Sequence, residues 1–411
     1  MVDGIAARVI PIRAAGAGAP VAAAAHPAPA QPIQPPLALY IHIPWCVRKC
    51  PYCDFNSHAI DAHREIPEAA YVAALRADLE STLPEVWGRT VHSIFIGGGT
   101  PSLLSGDAVE QLLSDVRALL PLAPDCEITL EANPGTYEAG RYARFRAAGV
   151  NRLSIGVQSF DDAKLQALGR VHDGAQALRA IEAAQRSFDN FNLDLMIGLP
   201  GQTEADALDE VERALRFAPP HLSMYQLTLE PNTVFHKYPP VLPDEDVLAR
   251  IQSVVEARAA AAGYEHYEVS AFCRPGSRSR HNHNYWTFGD YLGIGAGAHG
   301  KLSLPTGFVR TERFRQPGSY LENADRGQFV AAQRSLSPAD LVFEFMLNAL
   351  RLREGFAPAL FTARTGLPPS SLAPGLRAAQ ARGLIEAGSD RIRPTELGMR
   401  FLNDLQALFL E

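Results

Sequence analysis

Three cysteines fall within eight residues, at Cys46, Cys50 and Cys53. Thiolates this close on one loop are soft ligands that suit iron–sulfur clusters and zinc alike. Three of them can hold three irons of a cubane cluster and leave the fourth iron without a cysteine from this motif. A structural zinc site wants a fourth cysteine or histidine, which His58 or His63 could supply. A glycine run, Gly97-Gly98-Gly99-Thr100-Pro101, follows an apolar segment farther on. Glycines there let the backbone approach a ligand closely.

These residues need a scaffold. From Leu37 onward, short apolar runs alternate with helical patterns. Strands are expected at 37–43, 91–96, 127–131, 152–157, 192–197 and 222–229. Helices are expected at 68–83, 108–119, 137–148, 175–186 and 204–216. Strands separated by helices read as βαβ units around a parallel sheet, either a partial barrel or an open doubly wound sheet. The strand faces favour the barrel. Tyr40 and His42 oppose Leu39, Ile41 and Ile43. Ser154, Gly156 and Gln158 oppose Leu153, Ile155 and Val157. Asn192, Asp194 and Met196 oppose Leu193, Leu195 and Ile197. A sheet covered on both sides would be apolar on both faces, whereas a polar inner face fits a barrel that houses a ligand. The polar residues sit towards the strands' C-terminal ends, where α/β folds place their sites.

Beyond about residue 235 the pattern loosens. A helix is expected over 244–262 and a strand over 266–272. A basic, His- and Asn-rich segment follows over 274–284, and Gly289–Gly300 reads as a close-packed turn. Helices return over 339–352, 374–382 and 394–410. The expected fold class is α/β, a partial (βα)6 barrel with a small helical, winged-helix-like C-terminal domain. The expected divisions are an Ala/Pro-rich disordered extension over 1–36, the barrel over 37–272, an extension over 273–334 and the C-terminal domain over 335–411.

The bulk numbers agree. With 411 residues, 47 % hydrophobic and 20 % charged, the chain can bury a sizeable core. Lys plus Arg is 38 and Asp plus Glu is 45, a net charge of −7, which gives no general attraction to nucleic acid. Five cysteines, three of them clustered, do not describe a disulfide framework. Thiols kept free for a metal imply a reducing compartment, the cytoplasm. No apolar run approaches the ~20 residues needed to span a bilayer, and Pro11, Arg13 and Pro20 interrupt any signal-like stretch.

The segment Tyr40-Ile-His42-Ile-Pro44-Trp-Cys46, the spacing Cys-x3-Cys-x2-Cys and the glycine run together resemble radical S-adenosylmethionine (SAM) proteins. The resemblance implies a [4Fe–4S] cluster on Cys46, Cys50 and Cys53, with SAM bound to the open iron and cleaved to a 5′-deoxyadenosyl radical. It implies SAM contacts from Tyr40, Tyr52, Gly98, Gly99, Thr100, Glu131, Gln158, Arg170 and Asp194. From residue 37 onward the chain is similar to a narrow branch of the superfamily. That branch holds oxygen-independent coproporphyrinogen III oxidase and the haem chaperones of the HemW kind. The oxidase has a fourth cysteine two residues after the third, where this chain has Phe55, and a substrate-associated N-terminal region that this chain lacks. Both departures favour the chaperone, with oxidative decarboxylation of coproporphyrinogen III as the alternative. His281-Asn282-His283-Asn284-Tyr285-Trp286 fits the chaperones' HNxxYW pattern, which implies haem binding through His281, Asn282, Tyr285 and Trp286. A neutral imidazole is a natural axial ligand of haem iron, and His283 and Cys273 compete for that role. The implied partners are respiratory haemoproteins that accept haem, with room for a haem donor such as bacterioferritin, a peripheral membrane contact and a homodimer.

Overall fold

The computed structural model describes residues 34–60, 65–136 and 140–410. Most of the expected N-terminal extension, His63 and the start of the helix expected at 137 lie outside them. The barrel wall begins with β1 (Leu37–Ile43). A small parallel pair, β2 (Trp45–Cys46) and β3 (His58–Ala59), then frames the cysteine loop. Strands β4 (Val91–Gly98), β5 (Leu122–Ala132), β6 (Arg152–Gln158), β7 (Phe191–Ile197) and β8 (His221–Gln226) follow. The helices that connect them are α1 (Glu68–Val86), α2 (Gly106–Leu119), α3 (Arg141–Ala148), α4 (Asp162–Ala167), α5 (Gly174–Ser187) and α6 (Glu204–Leu215).

The spatial order β1-β4-β5-β6-β7-β8 is the order of the chain, and all these pairings are parallel. A doubly wound sheet reverses its strand order at a switch point; this one does not, so every connecting helix falls on the same face. Leu39, Ile41, Leu153, Ile155, Leu193 and Leu195 are buried in the layer between sheet and helices. The helix starts follow local chemistry: Asp173 with Gln176, and Thr203 with Asp206, form reciprocal capping boxes that satisfy amides otherwise left bare.

Past β8 come α7 (Val234–Lys237), α8 (Glu245–Ala261), β9 (Glu265–His266), β10 (Ala271–Cys273) and α9 (Arg280–Trp286). Then come β11 (Asp290–Ile294), β12 (His299–Leu304), β13 (Gly307–Arg313), α10 (Pro317–Ala324) and β14 (Val330–Ser335). These strands extend the sheet at both edges to twelve strands. Two expectations change here. The single strand at 266–272 is two short antiparallel strands, β9 and β10. The glycine-rich turn over 289–300 contains a seventh parallel strand, β11, paired with β1 from Leu37↔Asp290 to Ile41↔Ile294. Glycine content hid it, because Gly293 is needed for close passage rather than for turning: a Cβ there would lie 2.0 Å from the His299 carbonyl oxygen.

The C-terminal region packs a core of its own around Phe345, Phe356, Phe361 and Leu405. It comprises α11 (Pro338–Ala349), α12 (Pro358–Thr365), α13 (Ala373–Ala381) and a hairpin of β15 (Ile385–Ala387) with β16 (Ile392–Pro394). The helix expected over 394–410 is two, α14 (Glu396–Arg400) and α15 (Leu402–Ala407), because Phe401 leaves the helical backbone region. Among the described residues no helix is long and apolar enough to cross a membrane.

Candidate functional site

The cysteine loop leaves β2 and returns at β3, whose register sets Trp45 beside His58. Cys46, Cys50 and Cys53 are free, half-buried thiols. The Thr100 hydroxyl donates to Cys46 Sγ at 3.4 Å, Arg170 Nη1 lies 3.7 Å from Cys50 Sγ, and Ser57 Oγ lies 3.7 Å from Cys53 Sγ. Burial pushes the Cys46 and Cys53 thiols up, while the Thr100 and Ser57 hydroxyls pull them back. The loop is tied down on its outer side. Arg48 donates to the carbonyls of Gly169 and Arg170, both at 2.8 Å, and Phe235 N donates to Pro51 O.

The thiols open into a cavity of about 370 Å³ at the C-terminal ends of the strands. Tyr52, Gly98, Gly99, Thr100, Glu131, Gln158, Arg170 and Asp194 line it with them. These residues are up to 148 positions apart in sequence, from Cys46 to Asp194, and four strand ends bring them together. Tyr40 is not part of the lining. Its hydroxyl donates to His42 Nδ1 at 2.9 Å, and its ring stacks on Phe95. Phe55 is 61 % exposed at the edge of the loop. Ser154, Gly156 and Met196, which strand alternation put on the inner face, also line the cavity, as does Tyr225, which was not singled out from sequence. Tyr225 alternates with the buried Leu222 and Met224 on β8, so the same period-two pattern could have found it.

The glycine run has a steric cause. A Cβ on Gly98, whose φ is +115°, would lie 2.6 Å from the His42 ring, and one on Gly99 would lie 2.5 Å from Trp45 O. Only glycine lets β4 end against the cysteine strand. Gly98 N then donates to Glu131 Oε2 at 3.0 Å. Gln158 holds a left-handed backbone, φ +66°, where β6 slips register against β7. Such strain in a non-glycine residue concentrates at ligand sites.

The cavity favours a cationic, hydroxyl-bearing guest. Burial, and after it the charge of Asp194, pushes the Glu131 carboxyl up to about 8. Burial also raises Asp194, against hydrogen bonds from Asn192 and Ser154. Two carboxyls thus share the cavity, with no ion-pair partner for either among the described residues. Arg170 Nε is buried and unpartnered among those residues, as a cradle for a ligand carboxylate would leave it. Free cysteines, an orphaned guanidinium atom and paired carboxyls fit an iron–sulfur cluster with SAM.

A carboxyl whose folded pKa lies above its unfolded value binds its proton more tightly when folded. Its contribution to stability therefore falls as pH rises from the ordinary carboxylate range through about 8. Relative to wild type, unliganded Glu131→Gln protein should show a less negative dependence of stability on pH between about pH 5 and about pH 9 in urea melts. An unchanged slope in the variant would contradict the assignment.

The HNxxYW segment lies elsewhere. It forms α9, capped by Ser279, whose hydroxyl accepts from Asn282 N. The amides of Arg280 and His281 donate to the Glu127 carboxylate inside the barrel. His281 is 1 % exposed, with Nδ1 3.1 Å from Ser93 Oγ and Nε2 3.2 Å from the Tyr285 hydroxyl. Ser93 lies five residues before Gly98 on β4, roughly 16 Å along the strand. Burial pushes the His281 imidazole down to about 3, so it is neutral. Asn282, His283, Tyr285 and Trp286 are half-buried, and Cys273 is fully buried. The Arg351 guanidinium covers the Trp286 ring at 4.2 Å. The Tyr40, Phe95 and His281 rings cluster, with centroids 6.3 Å apart for Tyr40 and Phe95, 5.1 Å for Phe95 and His281, and 6.5 Å for Tyr40 and His281.

Residues 40–214 match the radical SAM superfamily, and residues 336–401 match the HemN C-terminal domain. Coproporphyrinogen III oxidase (HemN) from Escherichia coli, a radical SAM enzyme, has the same fold. Its TM-score is 0.78 at 22 % identity, over 92 % of this chain and 90 % of that one. The class is thus that of radical SAM proteins with a HemN-like fold. Heme chaperone HemW of E. coli K12 is 51 % identical over 92 % of this chain and 98 % of its own length. Heme chaperone HemW of Mycobacterium tuberculosis is 38 % identical over 90 % and 93 %. The chain belongs to the HemW family of heme chaperones.

Proposed function

We propose that this protein binds haem and delivers it to haem-accepting proteins, respiratory haemoproteins among them. Cys46, Cys50 and Cys53 hold a [4Fe–4S] cluster, and SAM occupies the cavity beside it. The observation that carries the reading is near-full-length similarity to heme chaperones in a chain with Phe55 where the oxidase has a cysteine. When bound, cluster and SAM supply one-electron chemistry. The protein's part is to orient SAM and exclude water. Arg170 receives the SAM carboxylate, Asp194 the ribose hydroxyls, and Glu131 the cationic end, while Gly98, Gly99 and Thr100 let the methionine portion lie against backbone. Tyr52 and Gln158 close the sides. Tyr40 acts from beneath, through His42.

Haem binding is assigned to α9, through His281, Asn282, Tyr285 and Trp286. Both ring nitrogens of His281 are already bonded. Coordination of iron therefore requires one bond to break and the helix to move. Purified protein is expected to bind about one equivalent of haem through an axial imidazole, with a Soret band altered in His281→Ala. Identical spectra in the two proteins would remove His281 as ligand. Cluster-replete protein given SAM, a reductant and coproporphyrinogen III is expected to form no protoporphyrinogen, and product formation would favour the oxidase.

A further inference from the structure

The glycine-rich segment that contains β11 ends in a turn at Gly295-Ala296-Gly297, and this turn meets the cysteine loop through one residue, Asn56. The Asn56 side-chain amide donates to Ala296 O at 3.0 Å and to Arg315 O at 2.9 Å. Its Oδ1 accepts from His58 Nε2 at 3.3 Å, and its backbone carbonyl accepts from His42 Nε2 at 2.8 Å. His42 takes the Tyr40 hydroxyl on its other nitrogen, which fixes the neutral tautomer. Burial pushes its imidazole down to about 4, in agreement.

The surroundings leave no slack. A Cβ on Gly297 would lie 2.2 Å from the Asn56 amide nitrogen, one on Gly295 would lie 2.5 Å from His42 O, and one on Gly98 would strike the His42 ring. The Tyr71 hydroxyl donates to His42 O at 2.8 Å and accepts from Ala296 N at 2.9 Å. Gly297 and Gly98 thus leave room for the Asn56 and His42 side chains, and Gly295 for the His42 backbone.

We propose that Asn56 is a positioning residue for the cysteine loop, and that the 295–297 turn is the support it is held against. The outer anchors, Arg48 and Pro51, grip the loop from the side of α4 and α7. Asn56 grips its returning end from the side of β11. Cys53 lies three residues before Asn56, so the angle at which its sulfur faces the cavity depends on this grip. The proposal rests on the reading of the three cysteines as cluster ligands.

The test is anaerobic purification of wild type, Asn56→Ala and Asn56→Asp. The aspartate keeps the size and the His58 acceptor but cannot donate to Ala296 or Arg315. Both variants should load a cluster that a ferrous-iron chelator removes about tenfold faster, the scale of two net hydrogen bonds. Both should also show a shifted midpoint potential and a weakened change in the reduced-cluster EPR signal on adding SAM, which loss of stability alone would not produce. A variant cluster that matches wild type in chelation rate, potential and spectrum overturns the proposal. Wild type without iron and sulfide overturns the cluster reading itself, and this proposal with it.

Discussion

Cys50→Ser protein, purified without oxygen, is expected to contain almost no iron or acid-labile sulfide, while wild type carries close to four of each per chain, as a cubane requires. The three thiols have different neighbours, but none can be replaced by another donor. Beside Cys50 stands Arg170, a cation that cannot bind iron. Beside Cys46 and Cys53 stand hydroxyls, which are hard oxygen donors and poor substitutes for thiolate. Losing one thiolate leaves two, too few to retain a cluster against exchange. The fold should survive, because all three cysteines lie outside the hydrophobic core and the loop's anchors are other residues. The unliganded melting temperatures of variant and wild type should therefore coincide while iron, sulfide and visible absorption separate them. Near-stoichiometric iron in the variant would exclude Cys50 as a ligand.

Asp78→Ala should cost about 3–5 kcal/mol of stability in a urea melt, the range for an uncompensated buried charge. Asp78 and Arg313 are 0 % and 1 % exposed. Arg313 Nε donates to both carboxylate oxygens at 2.9 and 3.2 Å. The Tyr320 hydroxyl donates to the carboxylate at 2.8 Å and Gly295 N at 3.2 Å. Burial pushes the Asp78 carboxyl up, and Arg313 only partly opposes it. Removing the carboxylate strands a guanidinium, a phenol and an amide together. Replacing both Asp78 and Arg313 by apolar residues should cost less than Asp78→Ala, since no charge is left unpaired. A loss below about 1 kcal/mol for Asp78→Ala would refute the account. The same network holds the Gly295 turn behind Asn56, so Asp78→Ala should also hasten cluster loss.

Much of this was legible in the residues. Period-two alternation in β1, β6 and β7 separated inner from outer faces, because each helix-covered strand buries one side in apolar contact. The three closely spaced thiols were legible as candidate ligands, because ligand chemistry is local. The glycines of 97–99 read as close approach, and their partners are the His42 ring and the Trp45 carbonyl. Other features were hidden for a physical reason. Strand β11 is stabilised by its partner β1, and Gly293 and Gly295 weaken any local propensity that would announce it. Asn56 carries no periodic or motif signal, since its importance comes from carbonyls 240 and 259 residues away.

The sequence by itself determined the three closely spaced cysteines proposed as cluster ligands, Cys46, Cys50 and Cys53, the alternating barrel strands and the phenylalanine at position 55. These depend on residue type and short spacing. Only the tertiary structure decided that His281 is buried between Ser93 and Tyr285, outside the cysteine-lined cavity, and that the Tyr40 hydroxyl meets His42 instead of lining that cavity. Only it showed that a distant glycine turn closes on the loop. Those facts depend on which strand lies beside which, and register is settled by packing across the whole sheet rather than by any segment alone.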